Sequence, residues 1–163
     1  ITLGNSWSYV PNDQYKSART VIHMLTNIVS RNGSLLLNVG PGPDGEWDPK
    51  AYERLQEIGS WMKINGEAIH DTEAAADLPG KGNWVFTKKD KAIYAIYQLP
   101  EGTTALPESL TVQLELKELP KQVTLLGSKA KVKAVSGDVG LILQMKKGTP
   151  APCEHAWVFK LVP

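Results

Sequence analysis

The chain has 163 residues, 18 basic and 17 acidic side chains spread along its length, and a formal charge of +1. Such a length suits one or two domains, and the balanced charge excludes the basic stripe of a nucleic-acid interface. A single cysteine, Cys153, excludes an intrachain disulfide, and no apolar run reaches the roughly 18 residues of a membrane-spanning helix.

The segment opening at Ile1 shows no charged region followed by an apolar core, so no compartment can be read from it. Asn12 and Asp13 are candidate caps for a helix whose apolar positions, Ala18, Val21, Ile22, Leu25, Ile28 and Val29, recur at helical spacing. Asn32-Gly33 ends it, because both residues tolerate the left-handed conformation of a helix C-terminus. Residues 35–39 are then apolar without alternation apart from Asn38. That is the pattern of a strand buried on both faces, as in a parallel sheet covered by helices. After the loop 40–47, Asp48 caps a second helix with Pro49 at its first position, where the missing N–H costs nothing. Its expected inner face is Tyr52, Leu55, Ile58 and Met62, and Asn65-Gly66 is its expected end. A lone parallel strand leaves backbone groups unpaired, and a closed eight-fold barrel needs about 250 residues. The neighbours of residues 35–39 are therefore expected upstream of Ile1, in a larger α/β domain.

Beyond Asp71 the pattern changes to short runs separated by Gly and Pro: 84–87, 92–98, 110–116, 123–126, 131–135, 141–145 and 156–162. In LTVQLEL, Leu110, Val112, Leu114 and Leu116 alternate with Thr111, Gln113 and Glu115. About seven such strands read as an all-β antiparallel β-sandwich.

GNSWSY (4–9), NGSLLLNVGPGPDG (32–45) and WMKINGEAIH (61–70) together resemble the C-terminal portion of the α-L-fucosidase family, retaining glycoside hydrolases of family 29. The resemblance is close over residues 1–71; the remainder is similar in architecture and in features such as AIYAIY (92–97). It implies the end of an α/β, TIM-like barrel followed by a β-sandwich. Residues 1–72 would complete the (β/α)₈-like catalytic barrel, 73–82 would be a linker and 83–163 the sandwich. Residues 35–39 would be the last barrel strand and 48–65 the last barrel helix.

The family resemblance also implies hydrolysis of terminal α-L-fucosyl linkages with retention. An Asp attacks the anomeric carbon, and a second carboxyl group protonates the leaving oxygen and later activates water. In the family both carboxylates lie upstream of this segment, as do the groups that hold the fucose hydroxyls. No residue of this chain is carried over as catalytic, and the chain alone is expected to be inactive. Trp7 resembles the aromatic that packs on the apolar side of fucose near its methyl group; Tyr9 and Asn38 are further binding candidates. The implied partners are a fucosylated glycan or fucoside and the upstream barrel region, with no cofactor, nucleic acid or membrane. By the same resemblance the compartment is periplasmic, secreted or lysosomal in type.

Other motifs read more plainly. Asp44, Glu46 and Asp48 have calcium-like spacing but lack the remaining ligands of such a loop, so Asp44-Gly45 reads as a turn and Asp48 as a cap. His23, His70 and His155 are too scattered for a zinc site. Asn32-Gly33-Ser34 fits a glycosylation sequon. The alternative function is a non-catalytic carbohydrate-binding sandwich. Against it, Trp84, Tyr94, Tyr97, Trp157 and Phe159 fall within strand patterns and read as core.

Overall fold

A computed structural model describes all residues except Glu115 and Lys117. Two helices, α1 (Ala18–Val29) and α2 (Pro49–Asn65), precede a 3₁₀ turn, Gly66–Ala68, and eight strands among the described residues. These are β1 (Glu73–Ala74), β2 (Trp84–Lys89), β3 (Ala92–Gln98), β4 (Ser109–Val112), β5 (Gln122–Leu125), β6 (Lys133–Gly137), β7 (Gly140–Gln144) and β8 (Ala156–Val162). They form two antiparallel sheets, in the orders β1-β2-β3-β8-β5 and β4-β7-β6.

The two sheets enclose a core of Phe86, Ala95, Val112, Leu125, Leu143, Trp157 and Phe159. The other face of the larger sheet is also covered. Val85, Tyr94, Ile96 and Val158 pack against Ala18 and Ile22 of α1 and Trp61 of α2. This explains why β2, β3 and β8 are apolar on both faces: the sheet lies between a helical layer and a second sheet. Polar contacts lock the helices in place. Arg19 donates to the Leu99 and Pro100 carbonyls at 2.6 and 2.7 Å. Gln98 donates to Thr26 Oγ1 at 2.8 Å, and Trp61 Nε1, 2% exposed, donates to the Ala156 carbonyl at 2.9 Å.

The local signals are largely met, with instructive departures. Ser17, not Asn12 or Asp13, caps α1, accepting the Thr20 N–H from extended backbone. Asp13 instead accepts the Asn5 and Gln14 N–H groups. At the far end Asn32 has φ 60°, and the Gly33 N–H reaches the Ile28 carbonyl at 2.9 Å. Asp48 caps α2 with Pro49 behind it, as the sequence indicates. The inner face of α2 is wider than expected: Leu55, Ile58 and Met62 pack inward as read, Ala51, Trp61 and Asn65 join them as its most buried residues, and Tyr52 alone of the expected face is 46% exposed. The helix serves two neighbours at once, the sheet and the Leu3–Val21–Ala51 cluster, and a single apolar stripe cannot reveal that.

Residues 35–39 form no regular strand. One parallel bridge joins Asn38 to Thr2, with Leu3 donating to the Asn38 carbonyl and Asn38 to the Ile1 carbonyl. Leu35, Leu37 and Val39 pack inward, while Leu36 is 75% exposed rather than buried. Only residues 1–3 lie alongside, so one edge and one face are uncovered among the described residues. The stretch 73–82, expected as a linker, supplies β1, which pairs with β2, and Ala75 and Leu78 enter the sandwich core. β4 stops at Val112 because its partner β7 begins one residue beyond the Val112–Leu141 pair and turns into β6. Of the alternating run 110–116, Glu115 lies outside the described residues.

The helix–sheet seam holds two half-buried histidines and should respond to pH. His23 Nε2 on α1 donates to the His155 carbonyl at 2.8 Å. His155 precedes β8 with φ 75°; its Nε2 is 3.9 Å from Glu57 of α2, and its buried Nδ1 has no hydrogen-bond partner among the described residues. Burial holds both imidazoles below their ordinary 6.5; Arg19 adds to this, Glu57 and Glu154 oppose it at His155, and the His155 carbonyl opposes it at His23. Below that value the unfolded chain binds more protons than the folded one, so stability is full above about pH 6.5 and declines as pH falls through the folded values. Urea midpoints should therefore decrease from about pH 7.5 to about 5.5, with a shallower slope in the double variant His23→Gln, His155→Gln. A flat wild-type profile would sink this account.

Candidate substrate-binding rim

The parallel bridge between Thr2 and Asn38 brings two loops out at the same end of the fold, 4–9 after the first segment and 40–47 after the second. Parallel strands release their following loops on one side, which is where α/β barrels gather ligand contacts. The loops are tied together. Asn38 Nδ2 donates to the Trp7 carbonyl at 2.9 Å. A Cβ on Gly40 would lie 2.6 Å from the Ser8 and Tyr9 backbone, so only glycine allows that approach. The Tyr9 ring lies 3.7 Å from where a Gly42 Cβ would stand.

Each loop is also held from within. The Asp13 carboxylate accepts the Asn5 N–H at 2.9 Å, and Lys16 Nζ donates to the Thr2 and Gly4 carbonyls. In the second loop Gly42 donates to the Glu46 carbonyl at 2.7 Å, and Gly45 turns the chain at φ 85°. Asp44 accepts the Glu46 N–H. Trp47 and Tyr52 flank the Asp48 cap with ring centroids 5.4 Å apart, the spacing of a hydrophobic staple. The Tyr52 hydroxyl donates to Glu46 Oε2 at 2.7 Å, and that bond raises the phenol above its ordinary value.

All three sequence-derived candidates meet here. Trp7 is 63% exposed with its backbone fixed by Asn38, and Tyr9 is half-buried between the loops. Trp47, Tyr52 and Glu46 share this end of the fold and were not candidates. The N′-to-N4 spacing of Trp47 and Tyr52 about the Asp48 cap is the signal that could have linked them. Asp44, Glu46 and Asp48 each have a local partner, and among the described residues no three His, Cys, Asp or Glu side chains gather as metal ligands would. His23 and His155 sit in the helix–sheet seam. In the sandwich, Trp84, Tyr94, Trp157 and Phe159 are buried.

A family model described as Alpha-L-fucosidase matches residues 1–67, the part that carries both loops. An α-L-fucosidase of Branchiostoma floridae is 35% identical over 156 residues, 90% of this chain and 33% of the relative. The tissue α-L-fucosidase of Homo sapiens is 33% identical, covering 86% of this chain and 30% of the relative. The chain matches the C-terminal portion of the α-L-fucosidase family. It spans about a third of the length of those fucosidases. Fucosidase structures superpose over both its helical and β parts: α-L-fucosidase isoenzyme 1 from Paenibacillus thiaminolyticus aligns with a TM-score of 0.83 at 30% identity, over 99% of this chain and 38% of that chain. A Thermotoga maritima α-fucosidase in complex with fucose aligns equally well, with a TM-score of 0.83 at 26% identity and the same coverage.

Proposed function

We propose that the protein carrying this chain is an exo-acting α-L-fucosidase that hydrolyses terminal α-L-fucosyl linkages with retention, through a covalent fucosyl-enzyme. The carrying observation is the exposed Trp7 on a rigid pair of loops inside the segment matched by the fucosidase model. In this reading residues 1–72 complete a catalytic barrel, 83–163 form a sandwich that braces it, and the nucleophile and acid/base belong to the upstream barrel region. Trp7 offers its face to the apolar side of fucose, Asn38 sets the Trp7 backbone, and Tyr9 supports the loop; the substrate is a fucosylated glycan or simple fucoside. The open edge of residues 35–39 supports a further parallel strand beside them. The buried aromatics of the sandwich disfavour a separate carbohydrate-binding module.

The deciding experiment is hydrolysis of an aryl α-L-fucoside by the full-length protein, with the first-formed anomer followed by NMR. Release of α-L-fucose first agrees with retention; initial β-anomer, or no turnover, rejects the assignment. In the same enzyme Trp7→Ala should lower kcat/KM roughly 5- to 30-fold, the loss of a stacking contact of about 1–2 kcal/mol. An unchanged value would reduce Trp7 to a loop residue.

A further inference from the structure

Trp7, Trp47 and Tyr52 are the exposed aromatics among the described residues, and all three lie on the loops at the rim or the first turn after them. A hydrophobic staple across the Asp48 cap explains why Trp47 and Tyr52 touch, but a small apolar side chain would serve it. It does not explain a Trp with 37% of its surface open beside an exposed carboxylate. We infer that Trp47, backed by Tyr52 and Glu46, forms the platform for the leaving-group sugar; this rests on the fucosidase reading above.

The chemistry of the three side chains fits a pyranose. Its C–H face packs on an indole, and its hydroxyls donate to a carboxylate. Glu46 is already oriented by the Tyr52 hydroxyl at 2.7 Å. The loop is closed by the Gly42 to Glu46 bond and by the staple, so the platform exists before ligand arrives and little ordering cost attends binding. The position is one loop beyond Trp7, and the Tyr9 ring reaches toward that loop, 3.7 Å from where a Gly42 Cβ would stand. With Trp7 on the fucose, the next residue of a glycan falls to Trp47. The contact adds no chemical step; it favours substrates whose leaving group is a sugar.

The test compares two leaving groups in the full-length enzyme: fluoride, from α-L-fucosyl fluoride, and a hexose, from fucosyl-hexose disaccharides. Trp47→Ala and Trp47→Leu are assayed on both, the Leu variant keeping an apolar staple while removing the flat ring. Both variants should lose roughly tenfold in kcat/KM on the best disaccharide. On the fluoride they should stay within about twofold of wild type, because it has no surface to stack. Glu46→Gln should show the same selectivity more weakly. Equal losses on both substrates, or no loss on either, overturn the platform. A wild-type enzyme that turns over neither substrate overturns the fucosidase reading instead, and the platform with it.

Discussion

The isolated 163-residue chain should release no aglycone from an aryl α-L-fucoside above the uncatalysed rate. Enzymes lower barriers by about 8–23 kcal/mol, and in a retaining glycosidase that reduction depends on an attacking carboxylate and a proton donor on opposite sides of the anomeric carbon. The acidic groups at the rim have other partners. Asp13, Asp44 and Asp48 accept backbone N–H groups, and Glu46 holds Tyr52. On the proposed reading what remains is stacking on Trp7, about 1–2 kcal/mol, which supports binding no tighter than tens of millimolar, about 30 mM. The chain should also self-associate, since residues 35–39 present an unpaired edge with Leu36 on its open face. If the proposed function holds, adding the proposed barrel region, covalently or as a second polypeptide, should bring fucoside hydrolysis. Turnover by the chain alone that survives removal of contaminating full-length enzyme would place a catalytic pair within these residues.

Residues 73–163 without the helices should fail to give a stable monomer. Removing α1 and α2 uncovers Val85, Tyr94, Ile96, Leu126 and Val158 on the larger sheet. At about 1.5–3 kcal/mol for each buried side chain, the lost burial approaches about 10 kcal/mol, comparable to the whole stability of an ordinary domain. The carbonyls of Leu99 and Pro100 also lose the Arg19 donor, and those of Ala156 and His155 lose one donor each while keeping Cys153 Sγ and the Leu99 N–H, although water can replace the lost ones. Size-exclusion chromatography and urea unfolding of this piece should show aggregation or a non-cooperative transition. A monomer that unfolds cooperatively at the midpoint of the complete chain would mean that the helices only rest on the sandwich.

The same shared core shows how far local signals reach. The Asp48-Pro49 start of α2, the Asn32-Gly33 stop of α1 and the bounds of β3 and β8 could be read directly, because caps, left-handed turns and short apolar runs between turn residues are set by a few neighbouring residues. The motifs around Trp7 and Asn38 were equally legible, and the two residues meet through one hydrogen bond. Other features depend on what lies across the fold. Trp61 is buried because β8 approaches it, Tyr52 is exposed because α2 turns its other side to α1 and the sheet, and residues 73–75 become a sheet edge because β2 offers one. Trp47 and Glu46 join the rim for a similar reason: the loop that carries them lies against the loop of Trp7, an approach that Gly40 permits and Asn38 secures. Spacing along the chain fixes which face a residue occupies on its own element, whereas burial and shared sites are properties of pairs of elements, and those are decided only when the layers pack.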